Sequence, residues 1–447
     1  MKTNRRAIVR THEGGKAALI NAERELKRSI MACLLWEDTF YESGEQIADR
    51  VRRLAAKLPL EKVAEITIEA KDKMHLRHAP LWLALAMVQR GNKAIVGETI
   101  AHVIQRADEL AEIVAMYWMD GKKPLPSQLR KGLAIAFQKF DAYELAKYNR
   151  SGAIKLRDVM FLTHPKPKDD TQANTWRQLA NRELPSADTW EVRLSAGKDK
   201  RESFEELLRE NRLGYLALLR NLRNMANAEV DEQLVFAALR NGVGRSKILP
   251  FQFLAAARAV PRWEPQIEEA MMLALGNLHP LLGRTVLLID VSGSMKARLS
   301  RRGELNRMDA ASALGVLLRE ICKEVRIFTF SDEVVECPPR RGIALIDAIY
   351  RSQRHFGTLL GNAVQTAERL ASGRDRLIVI TDEQAHDNAG LPQGRGYIVN
   401  VASYRRGVGY GKWIHIDGWS EAIVDYIVAS EAPDSPVAVP GDGKASR

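Results

Sequence analysis

The hydrophobic rhythm of this chain changes at Gly283, and no single-layer architecture accommodates both sides of the change. From about residue 20 to residue 278 the pattern is helix after helix. Between Val96 and Trp118, apolar residues fall at Val96, Ile100, Val103, Ile104, Ala107, Leu110, Ala111, Val114, Tyr117 and Trp118. That is the i, i+3, i+4 stripe of one amphipathic helix. Residues 205–228, 232–240 and 250–260 repeat it, with Asp231 suited to an N-cap and Pro250 to a first turn. Breaks at 121–126, 241–246 and 261–265 are short, so neighbouring helices pack antiparallel. No repeat of fixed period is visible, but a divergent helical-hairpin solenoid of HEAT type needs only its apolar stripes. One stretch, 164–194, interrupts the rhythm with Pro165, Pro167 and Pro185. It reads as a loop with a short helix around 175–180, and loops of that length are uncommon unless functional.

After Gly283, strand-like runs stand at 285–290, 325–330, 376–381 and 397–402. Helical patterns lie at 306–322, 343–351, 359–371 and 420–429. Near-continuous apolar strands alternating with helices specify a parallel sheet covered on both faces. The expected fold class is therefore multidomain, α followed by α/β. The tail from Ala432 is rich in Pro, Gly and Ser and reads as disordered.

The first strand runs into LLIDVSGSM, residues 287–295. Asp290 ends the strand, and Ser292 and Ser294 follow at alternate positions. Asp382 ends the RLIVIT strand in the same way. Ligands of open α/β sheets bind at the carboxyl ends of the strands, so both aspartates face one crevice. Thr358, just ahead of a helix in GTLLGNA, supplies a fifth oxygen. Five hard oxygen donors suit Mg²⁺ or Mn²⁺. An aspartate-based phosphatase needs a second carboxylate two residues after the first, where this chain has Ser292. A two-metal nuclease needs more carboxylates than Asp290 and Asp382. The set of Asp290, Ser292, Ser294, Thr358 and Asp382 resembles the metal-ion-dependent adhesion site of von Willebrand factor A domains, over roughly residues 284–430. That resemblance implies a site without chemistry, where a partner's carboxylate takes an open metal position.

Charge separates the two parts. Upstream of residue 284 the chain has 45 Lys and Arg against 36 Asp and Glu; from there on it has 22 against 20. A basic excess confined to the helical part suggests an anionic partner there, such as nucleic acid. The three cysteines, Cys33, Cys322 and Cys337, show no metal-ligand spacing and fit a reducing cytoplasm. No apolar run approaches a membrane span, and the basic N-terminus lacks the apolar core of a secretory signal.

The basic excess concentrates in KYNRSGAIKLRDVMFLTHPKPK, residues 147–168. Lys147, Arg150, Lys155, Arg157, Lys166 and Lys168 face one acid, Asp158, with Tyr148, Phe161 and His164 interleaved. Cations hold phosphates and flat rings stack on unpaired bases, a mixture suited to single-stranded or irregular RNA. No recognition-helix motif for duplex DNA is present. A solvated basic helix followed by a proline-stiffened loop has the same composition.

LRHAPLWLALAM (76–87), LRDVMFLTHPKPK (156–168), LLRNLRNM (218–225) and LRNGVGRSKILPFQFLAAAR (239–258) resemble the TROVE domain. In the Ro autoantigen family that domain precedes a von Willebrand A domain, the order found here. The resemblance implies a helical HEAT-like repeat ring over residues 15–283, a doubly wound parallel-sheet von Willebrand A domain over 284–430, and a tail over 431–447, in a bacterial or phage Ro-like protein. It implies a non-catalytic, monomeric RNA-binding protein. Its partners would be small structured Y-like RNA and single-stranded 3′ ends of misfolded RNA in RNA quality control, with a 3′ exoribonuclease tethered through RNA. His164 and the neighbouring cations match the family's RNA surface. The rival expectation is a metal-dependent protein-interaction scaffold.

Overall fold

The computed structural model describes residues 10–11, 20–31, 43–149, 152–187, 189–195, 199–243, 250–276, 278, 280–299, 304–402, 407, 411–418 and 422–431. Arg150, Cys33 and the tail beyond 431 lie outside them.

Ten helices form the first helical group: α1 (Ala22–Met31), α2 (Gly44–Ala56), α3 (Leu60–Asp72), α4 (His78–Val88), α5 (Ala94–Val103), α6 (Ala107–Tyr117), α7 (Ser127–Phe137), α8 (Ala142–Tyr148), α9 (Leu156–Thr163) and α10 (Asp170–Asn181). They stack in two layers. Helices α2, α4 and α6 touch in sequence along one layer, and α3, α5, α7 and α9 along the other. The central helix α4 is buried from Ala79 to Val88, which the unbroken apolar run APLWLALAMV requires. Gly132 of α7 lies where an added Cβ would be 2.7 Å from the Gly97 carbonyl of α5. Glycine at this crossing lets the two helices approach closely.

A second group holds α11 (Trp190–Ser195), α12 (Lys200–Arg209), α13 (Tyr215–Asn227), α14 (Glu232–Gly242), α15 (Pro250–Ala259) and α16 (Glu264–Gly276). Beyond it come β1 (Leu281–Asp290), α17 (Arg307–Ile321), β2 (Cys322–Phe330), β3 (Val334–Glu336), α18 (Gly342–Tyr350), α19 (Leu360–Leu370), β4 (Arg376–Thr381), β5 (Arg395–Asn400), β6 (Ile414–Asp417) and α20 (Ala422–Glu431). The strand order is β3-β2-β1-β4-β5-β6. All neighbours are parallel except the short edge strand β3, which pairs antiparallel with β2. Strands β3 and β6 were not visible as apolar runs, since both are short and only half-buried or exposed.

Three expectations from periodicity fail in instructive ways. Residues 96–118 form two helices, not one. Ile104 and Arg106 are extended, yet Ile104 and Ala107 are both buried, so the apolar stripe runs across the break and hides it. The interrupted backbone is satisfied from elsewhere: a Glu109 carboxylate oxygen accepts the amides of Gln105 and Arg106 at 2.8 and 3.1 Å, and Lys139 donates to the Ile104 carbonyl at 3.1 Å. Residues 205–228 likewise split, at left-handed Asn211 (φ 53°) and at Gly214, which caps α13. The stretch 164–194 is more helical than its prolines suggest. Asp169 caps α10 by accepting the Gln172 amide at 2.8 Å, which starts a 12-residue helix.

The apolar cores divide differently from the sequence. Among the described residues, one core runs through the first group, from Leu26 to Leu179. A second begins at Phe204 and continues without a break through α12–α16 into one face of the sheet. The helical layers continue as well: α13, α15 and α17 pack in series, as do α12, α14, α16 and α18. A third core, containing Leu360 and Val364 of α19, covers the other sheet face.

Candidate nucleic-acid interface and metal centre

The basic segment folds into α8, α9 and the loop after them. Asp141 and Glu144 cap α8 reciprocally, at 2.7 and 3.2 Å. Asp158, the one acid of the segment, accepts the Lys155 amide at 2.9 Å and starts α9. Leu145, Leu156, Val159 and Thr163 turn inward, which leaves the cations and rings on the outside. Lys147 lies 5.9 Å from the Tyr143 ring centre and 5.5 Å from that of Tyr148. Arg106 covers Tyr148 at 4.9 Å, and Arg157 covers Phe161 at 5.5 Å. Tyr143 and Phe161 are each about half exposed.

His164 ends α9 in the left-handed conformation (φ 48°, ψ 55°), its amide donating to the Met160 carbonyl at 2.9 Å, and Pro165 after it cannot continue the helix. Its side chain is exposed beside the HPKPK loop. That loop is anchored: Gln138 donates to the Lys166 carbonyl at 2.7 Å, Gln172 donates to the Gln138 carbonyl at 3.0 Å, and the Lys168 amide donates to the Gln172 carboxamide at 3.0 Å. Lys166 and Lys168 therefore project from fixed backbone. Lys147, Tyr148, Lys155, Arg157, His164, Lys166 and Lys168 share this region. Arg106 and Tyr143 join it. Arg106 was not legible in advance, since it meets Tyr148 across 42 positions of sequence; Tyr143, four residues before Lys147 on one helix, carried a local signal that went unread.

At the sheet, β1 and β4 are adjacent, so Asp290 and Asp382 emerge side by side at the carboxyl edge. Asp290 is fully buried and accepts the Ser292 amide at 2.9 Å and the Thr381 hydroxyl at 2.6 Å. The Ser292 and Ser294 hydroxyls are 3.3 Å apart. The Gly293 amide donates to the Phe356 carbonyl, and the His386 amide to the Thr358 carbonyl, both at 3.1 Å. These bonds knit the loop of Ser292 and Ser294, the loop of Thr358 and the loop after Asp382 together. Asp332 does not join the oxygen set through the bond seen; it braces Gly357 at 2.9 Å.

Burial, and then the neighbouring Asp382, push the Asp290 carboxyl up to about 7. The guanidinium of buried Arg307 meets Asp382 at 3.2 Å. Two buried carboxylates and the hydroxyls of Ser292, Ser294 and Thr358 have the hard-oxygen chemistry that suits a divalent ion. Among the described residues no group of three or more His, Cys, Asp or Glu gathers that could hold a metal ion.

The loop after β4 also reaches the far end of the helical array. Glu383 and Arg28 of α1 are both fully buried and pair at 2.5 Å. His415 of β6 meets the other Glu383 oxygen at 2.6 Å and Asp417 at 3.4 Å. The Thr11 hydroxyl donates to the Ala385 carbonyl at 3.2 Å. The other end of the array docks through α15 and α16. Arg258 grips Asp309 with two bonds, at 2.7 and 2.6 Å, and the Ile343 amide donates to Glu268 at 2.7 Å.

Both ends of a two-layer helical array thus meet one mixed-sheet domain, which defines the class: a helical ring closed by a von Willebrand A-like domain. The comparisons with known proteins agree with that class. The model of the TROVE domain matches residues 174–324, which span the end of α10, the whole second helical group, β1, α17 and the start of β2. A curated relative, the RNA-binding protein RO60 of Deinococcus radiodurans, is 24% identical over 357 residues, 64% of this chain. The match covers 66% of the relative, just under two thirds of its length. The crystal structure of the Deinococcus radiodurans RO (RSR) protein superposes with a TM-score of 0.61 at 19% identity, covering 92% of this chain and 99% of that one. The chain is Ro-like in sequence and in fold.

Proposed function

We propose that this protein binds RNA through the α8–α9 surface. The observation that carries the reading is the set of cations lying over half-exposed rings, Lys147 with Tyr143 and Arg157 with Phe161, next to the anchored Lys166–Lys168 loop. Cations over exposed rings offer phosphate contact and base stacking at one place. The class of the relatives supports the same ligand. On this reading the partners are small structured Y-like RNA and single-stranded 3′ ends of misfolded RNA. The role is RNA quality control in the cytoplasm, with an exoribonuclease tethered through the RNA. The protein acts by binding, as a monomer, and the chemistry belongs to its partners.

The sheet edge serves a second, metal-dependent contact. Asp290, Ser292, Ser294, Thr358 and Asp382 would hold Mg²⁺ or Mn²⁺, and the ion would present a position to a carboxylate of a protein ligand. Exposed Lys296, Arg298 and Arg354 around that edge favour an acidic ligand.

The test is retention of a hairpin RNA with a single-stranded tail across a salt series. Wild type should show a steep salt slope, and Lys166→Ala/Lys168→Ala a slope shallower by about 1 to 2 units. Weak binding that ignores the double substitution would instead support the scaffold reading.

A further inference from the structure

Arg307 stands where a buried cation is least expected. It opens α17 directly after the Asn306 N-cap, at the end of a helix where positive charge is disfavoured, and its side chain is buried. Its guanidinium reaches across the sheet edge to Asp382 at 3.2 Å. The backbone beneath it is fixed. The Arg307 amide donates to the Ala297 carbonyl at 3.0 Å, which ties it to the loop of Ser292 and Ser294. Asn306 and Asp309 cap α17 reciprocally, each bond 2.8 Å long. Arg258 of α15 and the Tyr350 hydroxyl hold Asp309 in turn. Arg307 is thus anchored on one lip of the edge and pairs with a carboxylate on the other.

The four carboxylate oxygens of this edge are not equivalent. Those of Asp290 accept the Ser292 amide and the Thr381 hydroxyl, and one of Asp382 accepts the Gln384 amide at 3.2 Å. These donors are neutral, and a carboxylate oxygen with one such bond keeps a lone pair for a metal. The other Asp382 oxygen faces a full positive charge. An ion held by Asp382 would share that carboxylate with the guanidinium, at a buried place where like charges repel strongly. Arginine keeps its charge at any ordinary pH, so loss of a proton does not relieve the conflict. An added anion does: a carboxylate bound to the ion attracts both cations. A purely structural Arg307 predicts something else. If it only balanced buried Asp382, its removal would loosen the edge and weaken a metal, not tighten it.

We propose that Arg307 is a built-in competitor of the divalent ion at this edge, which keeps metal binding weak until a carboxylate ligand joins the ion. The proposal rests on the metal reading above and adds an order to it. Metal and acidic ligand bind as a pair, each weakly without the other.

The experiment uses the full chain, Mn²⁺ as the metal and acetate as the carboxylate. Free Mn²⁺ is read by electron paramagnetic resonance, with chloride at equal ionic strength as the control and protein-free blanks to correct for Mn²⁺ held by acetate. Wild type should bind Mn²⁺ about threefold or more tighter in acetate than in chloride. Arg307→Gln should bind it about tenfold tighter in chloride and lose most of the acetate effect. Arg307→Lys keeps the charge and should behave as wild type. Mn²⁺ binding that is absent from wild type and Arg307→Gln alike, or that ignores Asp290→Asn, overturns the metal reading and the proposal with it. Binding that needs Asp290 but is unchanged or weaker in folded Arg307→Gln overturns the competition and leaves the metal reading intact. Should Arg307→Gln not fold, wild type decides: equal affinity in acetate and chloride overturns the pairing, and tighter binding in acetate, shared by Arg307→Lys, supports it.

Discussion

Arg28→Met tests whether the ring is closed by a charge at α1. Arg28 and Glu383 are wholly buried and 2.5 Å apart. Removing the cation leaves a buried carboxylate short of one partner, and breaking a buried pair from one side costs about 3–5 kcal/mol. Glu383 keeps His415 at 2.6 Å, so the lower end applies, about 3 kcal/mol. The loss falls on the contact between α1 and the sheet, because the apolar residues of α1, Leu26 and Ile30, belong to the core of the first helical group. The suitable assay is hydrogen exchange of the α1 amides, which reads local opening. At 1.36 kcal/mol per factor of ten, protection should drop roughly a hundredfold while α4 amides change little. Adding Glu383→Gln should restore part of the loss, since no unpaired carboxylate remains. Losses that add to within about 0.5 kcal/mol, or α1 protection unchanged in Arg28→Met, would refute the latch.

The same seam should depend on pH. Burial alone would lower the His415 pKa, but the Asp417 and Glu383 carboxylates outweigh it and raise it to about 9. The stabilisation is therefore full below its ordinary value of about 6.5 and lost as pH rises through about 9; α1 protection followed from pH 6 to 10 should fall, and His415→Asn should flatten the curve. Asp290→Asn should abolish the shift in melting temperature that Mg²⁺ produces. It should raise, not lower, the melting temperature of metal-free protein, because it removes one of two crowded carboxylates. Gly342→Ala should destabilise by more than about 1 kcal/mol in chemical denaturation. Gly342 has φ 57°, and its added Cβ would stand 2.0 Å from the Glu268 carboxylate.

What could be read in advance followed how local each signal is. The change of period at Gly283 located the start of the sheet because strand and helix periods differ within a few residues. Asp290 and Asp382 could be placed side by side because each ends an apolar strand, and parallel strands open at one edge. Arg307 could not be foreseen at Asp382, nor Arg28 at Glu383, because those ion pairs join positions 75 and 355 apart with no local pattern. The break between α5 and α6 was hidden by a continuous apolar stripe and became possible only through Glu109 and Lys139, which lie on other turns and helices. The α8–α9 cations were visible as composition and Tyr143 stood at helical spacing before Lys147, while Arg106 entered through packing alone.

The two ends of the helical array are joined to the sheet domain by different physics. At α15 and α16 the second core passes from the helices into the sheet face, and the layers α13–α15–α17 and α14–α16–α18 carry on across the junction. Separating them would expose a continuous apolar surface at about 25 cal/mol per Å². At α1 the described contacts are polar: Arg28 with Glu383, and Thr11 with the Ala385 carbonyl, beside Met31 packed close to Gly418. Water can re-solvate charges and hydroxyls once they part, but it cannot repay an exposed apolar core. By the described contacts, α1 is the junction expected to part first and α15–α16 the one expected to hold. The opening edge is then the one that carries Glu383, one residue from Asp382. The loop that would hold the metal is thus also the loop that holds the ring closed.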